Sequence, residues 1–107
     1  MRIALLNLYD ALTKSRELEI KPLANKLALL YYKQYRKNGG SVSWKDIMND
    51  MIIVAEATIS KLDIVVSDDN RTMLSPPAKK AYYSVNKEHN FITPDFISYS
   101  EFKRKLL

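Results

Sequence analysis

The segment Asp63-Ile64-Val65-Val66-Ser67-Asp68-Asp69 limits the possible folds more than any other stretch of the chain. Its β-branched residues are apolar on consecutive positions and not on alternate ones. That pattern reads as a strand covered on both faces, as in a parallel sheet. A long helical pattern precedes it, and helix into buried strand points to α/β architecture. With 107 residues, two glycines and four prolines, the chain has room for a single domain over 1–107.

Composition removes several function classes. There is no cysteine and one histidine, which excludes disulfide scaffolds, thiolate zinc sites, thiol catalysis and His-rich metal centres. No run approaches the roughly 18 apolar residues that span a bilayer, and no signal-type stretch follows Met1-Arg2-Ile3. A soluble, cytoplasmic protein with no membrane partner is expected. A Gly-rich phosphate loop and a Gly-x-Ser-x-Gly elbow are both absent, so nucleotide-binding and serine-hydrolase readings have no support.

The net charge of +5 is unevenly spread. Residues 1–40 carry Arg2, Lys14, Arg16, Lys21, Lys26, Lys33, Arg36 and Lys37 against three acids. Residues 41–75 reverse the sign, with Asp46, Asp50, Glu56, Asp63, Asp68 and Asp69 against Lys45, Lys61 and Arg71, and residues 76–107 are basic again. An acidic centre between basic flanks suits a cation site approached by a polyanion. Solvation of exposed helix faces accounts for the same charges.

Periodicity places a first helix from Ile3 to about Lys14, a charged connector Arg16–Lys21, and a second helix opening at Pro22. Leu23, Leu27, Leu30 and Tyr31 form the buried stripe of that second helix, and Gly39-Gly40 stops it. A third helix begins at Ser43, with Asp46 completing a capping-box variant, and runs to about Leu62. Ser75-Pro76-Pro77 opens another, ending near His89 or Asn90. A last strand at Asp95–Tyr99 leads through Ser100, as N-cap, into a helix Glu101–Leu107. Tyr31, Tyr32 and Tyr35 with Lys33, Arg36 and Lys37 make a basic-aromatic patch, in which tyrosines at helical spacing read as core or boundary residues.

On the third helix, Asn49, Glu56 and Ser60 form a narrow polar strip expected to face water. Asp50 lies about 100° away, among Ile53, Val54 and Ala57, and so points toward protein. A carboxylate there needs a hydrogen bond or a cation. From Asp50 to Leu62 is about 18 Å of helix; from Asp63 to Asp68 is about 17 Å of returning strand. Asp50 should therefore come abreast of Asp68 and Asp69, at the carboxyl end of a buried strand, where open α/β sheets place ligands. Hard oxygen donors suit Mg²⁺ or Mn²⁺. Two other readings remain: Asp68-Asp69-Asn70 as a turn whose side chains cap backbone groups, and Asp50 paired with Lys or Arg.

The string Asn49-Asp50-Met51-Ile52-Ile53-Val54-Ala55-Glu56-Ala57, then Leu62-Asp63-Ile64-Val65-Val66-Ser67-Asp68-Asp69, resembles the C-terminal half of PIN-domain proteins. The ending Ile97-Ser98-Tyr99-Ser100-Glu101-Phe102 is similar to that family's close, so the match covers roughly 43–107, with 1–40 as a helical part. The resemblance implies a helix-rich, three-layer α/β/α fold with a small parallel sheet. It also implies a Mg²⁺- or Mn²⁺-dependent ribonuclease, commonly the toxin of a toxin–antitoxin pair, with RNA and an antitoxin-type protein as partners. By the resemblance, Asp50 and Asp69 are metal ligands, Asp68 assists, and Ser67 supports the site. Lys33, Arg36, Lys37 and Arg71 are the candidate RNA-binding bases. PIN domains open with a strand carrying an Asp, followed by a helical Glu, whereas this chain opens with residues that read as helix. A missing first strand and two missing acids are therefore expected. The strand at Ile64–Ser67 would then expose an edge, so either a homodimer through that edge or a chain that omits the true N-terminus is expected.

Overall fold

The computed structural model describes residues 3–5 and 17–106. Its elements run β1 (Ile3–Leu5), α1 (Glu17–Lys37), α2 (Trp44–Ile59), β2 (Ile64–Val66), α3 (Pro76–Glu88), β3 (Asp95–Ile97) and α4 (Tyr99–Leu106). The three strands form one parallel sheet in the order β1-β2-β3, with Ile64 opposite Ile3 and Asp95. The chain is a helix-rich α/β fold, and no helix among the described residues is long and apolar enough to cross a membrane.

The strand β2 is buried along its whole length, for the reason its sequence suggested. Val65 joins one core with Leu27, Tyr31, Met51, Val54, Ala81 and Tyr82, so α1, α2 and α3 all cover that face. Ile64 and Val66 turn the other way and pack with Ile97, Tyr99 and Phe102 of β3 and α4. Alternating side chains of one strand thus serve two apolar layers. Ala24, Ala28, Ala55, Ala78 and Ala81 lie fully buried between the helices and keep them close.

Several expectations need correction. The first helix is overturned at its start, since Ile3–Leu5 is a strand; the rest of it lies outside the described residues. The first strand is therefore present, and β2 is flanked on both sides. The β2 edge through which a homodimer was expected is thus occupied by β1. α1 begins at Glu17 and Pro22 sits inside it, because capture of its apolar face by the core outweighs one missing N–H. Its buried stripe is Ala24, Leu27, Ala28, Tyr31 and Tyr35, while Leu23 is 57% exposed and Leu30 is also at the surface. At about 100° per residue the buried set keeps to one arc, rotated by roughly a quarter turn from the arc of Leu23, Leu27 and Leu30. Glu56 and Ser60 are buried, not solvated as expected. Ser43 forms no side-chain cap; its hydroxyl instead donates to the Asp46 carboxylate at 3.0 Å. At α4 the cap is Ser98, whose Oγ accepts the Glu101 N–H at 3.2 Å, and not Ser100.

Three helices end in the same way. Gly39 (φ +96°), Lys61 (φ +58°) and Asn90 (φ +62°) take the left-handed conformation just past α1, α2 and α3. The next N–H reaches back five residues each time: Gly40 to Tyr35 O, Leu62 to Ala57 O, and Phe91 to Asn86 O. This is the Schellman closure, which satisfies orphan carbonyls and turns the chain sharply. Lys61 is the costly member, since its Cβ is strained there. Gly40 has a separate role: a Cβ at that position would fall within the Tyr35 ring. Lys61→Gly is expected to raise stability by about 1 kcal/mol, and Gly40→Ala to lower it by about 2–3 kcal/mol through overpacking. Urea denaturation of the two variants measures both.

Candidate acidic site

The turn between β2 and α3 is built by side chains reaching backbone groups. Ser67 is fully buried, and its Oγ accepts the Asp69 N–H at 3.0 Å. Asp69 Oδ1 in turn accepts the N–H groups of Arg71 at 3.1 Å and Thr72 at 3.0 Å. The expected capping role of this acidic turn is thus real, but it occupies only one carboxylate oxygen. The other, Oδ2, lies 2.5 Å from Thr72 Oγ1.

Asp50 arrives from α2 at the same atom. Its Oδ2 accepts from Thr72 Oγ1 at 2.6 Å. Two carboxylates from separate elements therefore converge on one hydroxyl, and the partner of Asp50 is a threonine, not a lysine or arginine. A hydroxyl has a single proton to donate. It can satisfy only one of the two contacts, and the other brings lone pairs together unless a proton or cation stands between them.

The surroundings decide where a proton goes. Burial raises Asp50 above its ordinary 3.8, the Thr72 hydrogen bond draws it down, and the Asp69 charge raises it again, leaving it elevated. Burial raises Asp69 as well. Here the Thr72 hydroxyl, the Thr72 and Arg71 N–H groups and the Arg71 charge outweigh it and hold Asp69 low. Tyr82, buried in the core, donates to the Met73 carbonyl at 2.9 Å. Burial and then the Asp50 charge push its hydroxyl far above its usual range.

The other expected site residues are distributed differently. Asp68 turns away, its Oδ1 accepting the Tyr99 N–H at 3.1 Å and so tying β2 to the start of α4. Arg71 is exposed beside Asp69, while Lys33, Arg36 and Lys37 are exposed on the last turns of α1. Tyr31 and Tyr35 are core residues. Tyr31 donates to Asn86 Oδ1 at 2.6 Å, and burial pushes its hydroxyl up to about 12. Thr72 was missed by sequence reasoning. Its signal was available: an Asp that caps its own turn brings the side chain three residues later back against it. Among the described residues no three acidic or histidine side chains gather as a metal-binding group.

No protein-family model, no curated protein and no solved structure matches this chain.

The opposed shifts give the two acids opposite pH signatures. With its value raised on folding, Asp50 stabilises the protonated native state. That contribution is present below 3.8 and is lost as pH rises through the elevated value. Asp50→Asn, which cannot ionise, should gain on the parent in thermal melts as pH goes from 4 to 7. Asp69 is depressed, so its contribution is present above 3.8 and disappears as pH falls through the lowered value. Asp69→Ala should therefore cost about 1 kcal/mol at pH 7, the size of a lost capping carboxylate, and progressively less in acid.

Proposed function

We propose that the chain is a PIN-like, metal-dependent ribonuclease domain in which Asp50 and Asp69 hold Mg²⁺ or Mn²⁺. The observation that supports this reading is the meeting of both carboxylates at Thr72 Oγ1, at the carboxyl end of the buried strand β2. The donor set fits the ion: Mg²⁺ is commonly held by one or two carboxylates, with waters and substrate phosphates completing its shell. When bound, it would supply Lewis-acid polarisation of a phosphodiester and an activated water.

The chain's own residues would do the rest. Asp69 presents one oxygen to the site while its other oxygen and the Ser67 hydroxyl fix the turn. Asp50 contributes a carboxyl from the rigid frame of α2, and Thr72 holds the two together. Arg71, with Lys33, Arg36 and Lys37 on α1, would neutralise RNA phosphates. In a toxin–antitoxin setting, an antitoxin-type protein would act by covering this site.

Mn²⁺ titration and cleavage of unstructured RNA in Mg²⁺ test the reading. Asp50→Asn and Asp69→Asn should each abolish cleavage and weaken Mn²⁺ binding by more than ~100-fold, and Ser67→Ala by ~10-fold, as for loss of a supporting partner. Mn²⁺ affinity unchanged in both aspartate variants would remove the site. A second reading, a non-catalytic nucleic-acid-binding or protein-interaction domain, draws on the number of gathered acids: two among the described residues. It would give salt-dependent RNA binding without metal-dependent cleavage.

A further inference from the structure

α3 carries a basic-aromatic surface distinct from Arg71 and from Lys33, Arg36 and Lys37 of α1. At 100° per residue, Pro76, Lys79, Lys80, Tyr83 and Lys87 fall within one narrow arc, and the single acid of the helix, Glu88, lies well round from Tyr83. Tyr83 is 50% exposed although it is a large aromatic residue. Its ring stands at 90° to Phe96, with centroids 6.5 Å apart, so β3 props it in a fixed edge-to-face orientation. Lys80 one turn before it and Lys87 one turn after are both exposed. A braced aromatic ring between cations is the chemistry that holds an unpaired base and its two neighbouring phosphates.

The position of this stripe relates it to the acidic site. α3 starts one residue after Ser75, whose hydroxyl donates to the Thr72 carbonyl at 2.9 Å. Tyr83 lies about 12 Å along the helix from that point. We infer that the α3 face of Lys80, Tyr83 and Lys87 is a binding track for single-stranded nucleic acid, leading a strand toward the turn that holds Asp69 and Thr72. The inference rests on the nuclease reading for the direction of the strand, but not for its binding. A duplex keeps its bases stacked on one another and offers Tyr83 nothing to stack against.

Fluorescence anisotropy with a labelled oligouridine, set against a hairpin duplex in EDTA, tests the track without any metal. Tyr83→Ala should weaken oligouridine binding about ten-fold, with Tyr83→Phe close to the parent. The double variant Lys80→Gln/Lys87→Gln should flatten the slope of log affinity against log salt by about 1.4, which is about 0.7 per single-strand phosphate contact. This second readout also stands if Tyr83→Ala folds poorly. The track is overturned if Tyr83→Ala and the lysine double variant bind like the parent, if duplex binding falls equally, or if the parent does not bind oligouridine in EDTA. Each of those results leaves the Mn²⁺ titration of the Asp50 and Asp69 variants to decide the nuclease reading separately.

Discussion

Burial of β2 on both faces organises the rest of the molecule. A strand with Val65 on one side and Ile64 and Val66 on the other leaves no solvent face, so helices must cover both layers. β1 and β3 satisfy its backbone from both sides. The consequence for the site is positional. The chain can leave the buried strand only at its carboxyl end, and there Ser67, Asp68 and Asp69 emerge in succession. Ser67 stays buried to hold the turn, Asp68 reaches α4, and Asp69 faces α2.

At the meeting of Asp50, Thr72 and Asp69, two acids share one hydroxyl. One hydroxyl proton faces two carboxylates and can go to only one of them, and the environments of the two differ: Asp50 comes from a helix flank with one donor, while Asp69 is surrounded by N–H groups and a guanidinium. A proton therefore favours Asp50, and in the proposed metal site a divalent ion would compete with that proton. Tyr82, buried near the pair, commits its hydroxyl to the Met73 carbonyl and so donates nothing to either carboxylate.

Elsewhere much of the core's polarity is gathered into one cluster. Tyr31, Thr58, Asn86 and Thr93 form one connected network: the Tyr31 hydroxyl donates to Asn86, Asn86 Nδ2 donates to Thr93 at 2.9 Å and to Thr58 at 3.4 Å, and Thr58 donates to the Val54 carbonyl at 2.9 Å. It links α1, α2 and α3 to the loop before β3. Apolar residues alone would let these helices slide, whereas hydrogen bonds with fixed partners set their register.

Local chemistry along the chain determined several things directly. The β-branched run specified a doubly covered strand, the Ser43 and Ser75-Pro76-Pro77 openings specified the starts of α2 and α3, and matching helix and strand lengths brought Asp50 abreast of Asp69. The tertiary structure decided the rest. Whether Ile3–Leu5 became strand or helix depended on the neighbouring edge of β2, and three residues carry too little periodicity to declare it. Which face of α1 was buried, and that Glu56 and Ser60 were covered, depended on how the elements packed around them. Thr72 became the meeting point only because a turn and a helix distant in sequence share one small volume. Spacing along a chain fixes distance and direction within an element, but the contact between two elements exists only once both have packed.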